Sequence, residues 1–105
     1  MQDEITYKLL KAIEKNPEMS QRELSRELGV SLGKTNYCIK ALIKKGLIKA
    51  SNFRNSRNKS RNLYLLTPKG VEMKAKVTLR FLKLKISEYE MLTKEIEILK
   101  DEAAI

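Results

Sequence analysis

Apolar positions recur along this chain with helical spacing in three short blocks, then in one long one. Ile5, Leu9, Ala12 and Ile13 fall at i, i+4, i+7 and i+8, which is one face of a helix. Asp3 can cap that helix, and Asn16-Pro17 ends it, because the residue before proline is pushed out of helical backbone. Ser20-Gln21-Arg22-Glu23 has the spacing of a capping box, in which hydroxyl and carboxylate each accept from the other residue's free backbone N–H. Leu24 and Leu28 follow one turn apart on the inward side, and Gly29 stops the helix in a left-handed conformation. Val30 fills the turn, Ser31 caps a third helix, and Thr35, Cys38, Ile39 and Leu42 make its inward stripe. Lys44 and Lys45 sit in the last turn, where cations suit the helix dipole, and Gly46 terminates it.

The pattern then changes. Leu47 and Ile48 begin an extended segment to Phe53, residues 54–62 consist only of Asn, Ser, Arg and Lys, and residues 62–66 are apolar enough for a second strand. This predicts a β-hairpin with a basic tip. Thr67-Pro68 opens a last helix, with threonine as cap and proline at the first helical position. Beyond Pro68 the chain has no proline, and Gly70 is its last glycine, so the helix runs for about 35 residues, or about 50 Å. That is too long to pack wholly on the small body before it. Ala75, Leu79, Leu82, Ile86, Tyr89, Leu92, Ile96, Leu99 and Ala103 step by 4, 3, 4, 3, 3, 4, 3 and 4, close to a heptad seam. Val77, Phe81, Leu84, Met91 and Ile98 form a second stripe, broken by Glu88 and Glu95. The stretch 77–86 is therefore apolar on a wide arc, as expected of a helix that meets both its own body and another chain. Leu79, Leu82, Ile86, Tyr89, Leu92, Ile96 and Leu99 are the expected dimerisation residues. The body before Thr67 is small, and domains of that size bury only about 60% of their unfolded surface. Pairing would take the apolar helix out of water.

Charge gives these elements a purpose. The 105 residues carry a formal net charge of +9. Residues 31–80 hold thirteen basic residues and one acid, net +12; residues 1–30 and 81–105 are net −1 and −2. A basic block of that size suits a polyanion. There is no histidine and a single cysteine, Cys38, on the apolar side of the third helix. An intramolecular disulfide, a His/Cys metal site and histidine acid–base chemistry are therefore excluded, and no cofactor is expected. No apolar run is long enough to span a membrane and the N-terminus has no signal-peptide core, so a cytoplasmic protein is expected.

Two helices joined by a tight turn over residues 20–48, followed by a basic hairpin, are an arrangement that reads duplex DNA. The outward residues of the third helix are Ser31, Leu32, Gly33, Lys34, Asn36, Tyr37 and Lys40. Asn36 can make paired hydrogen bonds to adenine in the major groove, Lys34 and Lys40 can reach phosphate or guanine, and Tyr37 can bond phosphate or touch a thymine methyl. Gly33 lets the positive helix N-terminus come close to phosphate. In the hairpin tip, Arg54, Arg57, Lys59 and Arg61 suit a narrow minor groove or the backbone. Gln21 and Arg22, at the start of the second helix, can contact backbone phosphate.

These residues carry a resemblance. Ser20-Gln21-Arg22-Glu23-Leu24, residues 29–38 (GVSLGKTNYC), Lys45-Gly46-Leu47-Ile48, residues 64–70 (YLLTPKG) and Glu88-Tyr89-Glu90 resemble the MarR-type winged-helix regulators, and within them the short branch associated with exopolysaccharide gene clusters. The resemblance covers most of the chain. It implies a bacterial transcription regulator with residues 31–42 as recognition helix and 54–61 as wing. Larger members of that family have an extra N-terminal helix that helps to shape a ligand pocket; this chain starts at the first helix of the body, so no small-molecule effector is expected. The aspartate usual before the wing arginine is also missing.

The expected fold is mainly α (α+β): a winged helix-turn-helix with a β-hairpin wing over residues 1–66, and a long C-terminal dimerisation helix over 67–105. The expected function is sequence-specific binding of duplex DNA by a homodimer, on a palindromic operator with half-site centres about one helical turn, ~10 bp, apart. A second reading is a winged-helix module that binds protein and uses the long helix as scaffold; affinity for duplex DNA separates the two. No catalytic constellation is present: the sequence has no carboxylate pair in an evident cleft and no phosphate-cradling glycine loop.

Overall fold

The computed structural model describes residues 3–53 and 61–104, and for Asn52, Phe53, Arg61 and Asn62 it describes the backbone alone. Four helices and one hairpin follow in the order α1 (Asp3–Lys15), α2 (Gln21–Leu28), α3 (Leu32–Lys44), β1 (Ile48–Phe53), β2 (Arg61–Leu66) and α4 (Pro68–Ala103). This is the winged helix-turn-helix arrangement that the apolar pattern predicts.

Local chemistry sets the boundaries. Glu23 N donates to Ser20 Oγ and Ser20 N donates to Glu23 Oε1, each at 3.1 Å, which completes the capping box of α2. Gly29 takes a left-handed φ of 70° and closes α2 through its N–H to Ser25 O at 2.9 Å. Lys34 N donates to Ser31 Oγ at the start of α3, and Gly70 N donates to Thr67 Oγ1 at the start of α4. Gly46, at φ 74°, turns the chain from α3 into β1. Asp3 differs from the expectation. It is the first residue of α1 rather than its cap, and its carboxylate is used elsewhere.

The core lies where α1, α2 and α3 meet the hairpin and the first turns of α4. It is built from Leu9, Leu10, Ile13, Leu24, Ile39, Leu42, Ile48, Tyr64 and Val77, among others. The expected stripe of α3 is buried in full, and Thr6 and Leu10 add a second inward line on α1. That line exists because α1 packs on α4 as well as on α2 and β2. β1 and β2 pair antiparallel, with Ile48 opposite Leu66 and Phe53 opposite Arg61. The hairpin is tied to the helices by Tyr64 N, which donates to Pro17 O at 3.1 Å, and by Tyr64 Oη, which accepts from Gln21 Nε2 at 3.2 Å.

The start of α4 is clamped to α1. Val77 is 1% exposed, Tyr7 and Phe81 stack with ring centroids 5.1 Å apart, and Lys74 pairs with Glu14. Arg80 donates two hydrogen bonds to the Asp3 carboxylate, at 2.9 and 3.1 Å. Hydrogen bonding from Arg80, and then its charge, hold the Asp3 carboxyl below its ordinary value of 3.8. A depressed carboxylate stabilises the fold above its unfolded-state pKa, and the contribution fades as pH falls through the folded one. Asp3→Asn should therefore lower the melting temperature at pH 6, with the gap to the parent closing below pH 4. A gap that stayed constant with pH would contradict this pairing. Past Phe81, α4 leaves the body, and the molecule extends over 70 Å in its longest dimension.

Candidate nucleic-acid interface

The helix-turn-helix is positioned by its own buried side. Thr35, Cys38, Ile39 and Leu42 anchor α3 in the core, so the opposite face of that helix is offered outward. Ser31, Leu32, Gly33, Lys34, Tyr37 and Lys40 are all exposed, Tyr37 at 73%, and Asn36 is half-buried at the border of the two faces. The N-terminal turn of α3 lies in this set, with its free N–H groups and positive dipole end. Gly33 has no atom within 4 Å of where a Cβ would stand, so the surface there is open.

The electrostatics of this face are one-sided. Among the described residues, no carboxylate lies within ion-pair distance of Lys34 or Lys40. Among the described residues, Glu4, Asp3, Glu14, Glu72 and Glu88 pair with Lys8, Arg80, Lys74, Lys76 and Lys85, none of which is on α3. A cationic, uncompensated helix face with a capped N-terminus can hold phosphate and bring amide and hydroxyl groups to base edges. Lys44 continues the line of Gly33, Tyr37 and Lys40 one turn further and is exposed. The sequence pattern assigns Lys44 to the helix dipole; its i+4 spacing from Lys40 is what sets it on the same outward line.

The remaining expected residues are placed as follows. Arg22 is exposed on α2, whereas the Gln21 amide is turned onto Tyr64 and is partly buried. Arg54, Arg57 and Lys59 lie outside the described residues, and Arg61 is described as backbone only, at the first position of β2. The seam residues Leu79, Leu82, Ile86, Tyr89, Leu92, Ile96 and Leu99 are exposed, between 43% and 70% accessible, as are Leu84, Met91 and Ile98 of the second stripe. No group of acidic or cysteine side chains suited to a metal ion occurs among the described residues, and no described helix is long and apolar enough to cross a membrane.

Residues 2–49 match the family model for winged helix-turn-helix DNA-binding segments, a span that covers α1 to α3 and enters β1. No curated protein matches the sequence. Solved structures do. A PadR-like transcriptional regulator from Bacillus cereus is 22% identical with a TM-score of 0.73, over 83% of this chain and 89% of its own. FabT from Streptococcus pneumoniae, solved in complex with DNA, is 23% identical with a TM-score of 0.56, over 91% and 74%. MarR from Staphylococcus aureus is 22% identical with a TM-score of 0.57, over 91% and 67%. Residues 2–49 thus match winged helix-turn-helix DNA-binding segments, and the chain has the fold found in these PadR-like and MarR regulators.

Proposed function

We propose that this chain is a homodimeric, sequence-specific regulator of transcription. Residues 1–66 read duplex DNA and residues 67–105 pair two copies, although the first turns of α4 also complete the core of the reading body. The observation that carries the proposal is the outward face of α3, where Lys34 and Lys40 have no acidic partner among the described residues and stand beside Asn36 and Tyr37. In this reading α3 enters the major groove, with Asn36 reading a base and the lysines and Tyr37 fixing register on phosphate. Arg54, Arg57, Lys59 and Arg61 lie along the minor groove or backbone, and Arg22 holds phosphate from α2. Two-fold symmetry then calls for a palindromic operator with half-sites one helical turn, or a multiple, apart. Promoters of exopolysaccharide gene clusters are the first natural DNA to test, given the sequence resemblance.

The wing supplies a direct test. Arg57→Ala combined with Arg61→Ala should weaken binding to every duplex and make the dependence of log affinity on log salt shallower by about 1.8 for each half-site, or about 3.6 for the dimer, at roughly 0.9 for each phosphate no longer neutralised. Fluorescence anisotropy over a salt series measures both. Unchanged affinity at low salt would remove the wing from the interface, and negligible affinity of the parent protein would favour a protein-binding module instead.

A further inference from the structure

The seam of α4 and its charge are both patterned about the same residue. The nine seam positions from Ala75 to Ala103 step by 4, 3, 4, 3, then 3, 4, 3, 4, a spacing that reads the same in both directions from Tyr89. Charge reverses close to that centre. Residues 68–86 hold six basic side chains and one acid, net +5; residues 87–103 hold two basic and six acidic, net −4. All nine seam positions are exposed in the single chain. The face that meets the body is a different one, marked by Val77, Lys74 and Arg80.

From this we infer that α4 pairs with α4 of a second copy in antiparallel orientation, with Tyr89 at the two-fold axis. The inference rests on the homodimer reading above and adds its geometry. A parallel in-register pair would set the +5 half against the +5 half and the −4 half against the −4 half. The antiparallel pair sets opposite signs together along about 42 Å of helix. It also brings every seam residue opposite another: Ile86 meets Leu92 of the second copy, Leu82 meets Ile96, Leu79 meets Leu99 and Ala75 meets Ala103. An open groove between the end of α1 and the proximal part of α4, lined by Glu14, Val71, Ala75, Leu79 and Leu82, then receives the second copy's last turns. Level with each other, two like charges meet only next to the axis, Glu88 with Glu90 of the other copy, and Lys85 donates to Glu88 there at 3.2 Å; Lys100 comes level with Thr78 of the other copy, between Lys76 and Arg80. The two reading bodies end up at opposite ends of a shared rod.

Disulfide trapping in a Cys38→Ala background decides the orientation, with sedimentation to read the oligomeric state. In the antiparallel pair, two copies of residue 99 stand about 30 Å apart, far beyond the ~7 Å Cα separation that a disulfide tolerates. Leu99→Cys alone should therefore stay uncrosslinked under mild oxidation. The Leu79→Cys/Leu99→Cys double variant should become a covalent dimer, with residue 79 joined to residue 99 in the peptide map. A dimer in which Leu99→Cys alone crosslinks would overturn the antiparallel orientation and leave the homodimer intact. So would a dimer that no variant traps. A chain that sediments as a monomer and never crosslinks would overturn the homodimer together with its geometry.

Discussion

Gly70→Ala is expected to destabilise the protein by about 3 kcal/mol or more, the upper range for forcing extra atoms into a packed site. An added Cβ would stand 1.9 Å from the carbonyl oxygen of Leu47. That oxygen cannot readily retreat, because it accepts from Thr67 N at 3.1 Å and from Thr67 Oγ1 at 3.2 Å. The same hydroxyl donates to Gly46 O at 2.6 Å and accepts from Gly70 N at 3.0 Å. The start of α4 and the start of β1 are thus one locked joint, and the methyl must push them apart. For a domain of this size the melting temperature should fall by roughly 12–24 °C. Gly33→Ala is the matched control. It adds the same methyl to a helix, but into open space, so it should leave stability equal or raise it by up to about 1 kcal/mol. Similar melting temperatures for the two variants would contradict the close approach at Gly70.

Lys34→Ala with Lys40→Ala should cut affinity for all duplexes and reduce the salt slope by about one for each lysine. Asn36→Ala should instead relax preference at one base pair of each half-site, at a cost of about 1–3 kcal/mol, or roughly five- to 150-fold in affinity, for each half-site. The two kinds of loss separate phosphate holding from base reading. Neither variant should disturb folding much. The lysines are exposed, without ion pairs among the described residues, and Asn36 sits at the edge of the core rather than in it. Binding curves against a preferred duplex and a scrambled one, at two salt concentrations, resolve the effects. A lysine variant with an unaltered salt slope would take α3 out of contact with the backbone.

Much of this architecture is legible in the sequence because its determinants are local. The capping box at Ser20 and Glu23, the left-handed glycines at 29 and 46, and the inward stripe of α3 all act within a few residues. What the sequence hides acts over long separations. The position of Gln21 suggests a phosphate ligand, yet its amide reaches Tyr64, 43 residues on. The position of Asp3 suggests a cap, yet it holds Arg80, 77 residues on. Leu10 and Thr6 fall outside the predicted stripe because a single stripe undercounts a helix packed on more than one side. Gly70 has no visible reason in the sequence; the fold brings the Leu47 carbonyl against it. The outward face of α3 is foreseeable by subtraction, as the residues its buried stripe leaves over, and Lys44 belongs to it besides standing in the last turn of the helix.

Selection of bound duplexes from a random pool by the full chain, at about 50 mM salt, tests whether α3 reads duplex sequence as one of a symmetric pair. A two-fold symmetric motif should be enriched, and Asn36→Ala should lose that enrichment at one position of each half-site. Retention of no duplex, or of duplexes sharing no motif, would contradict it.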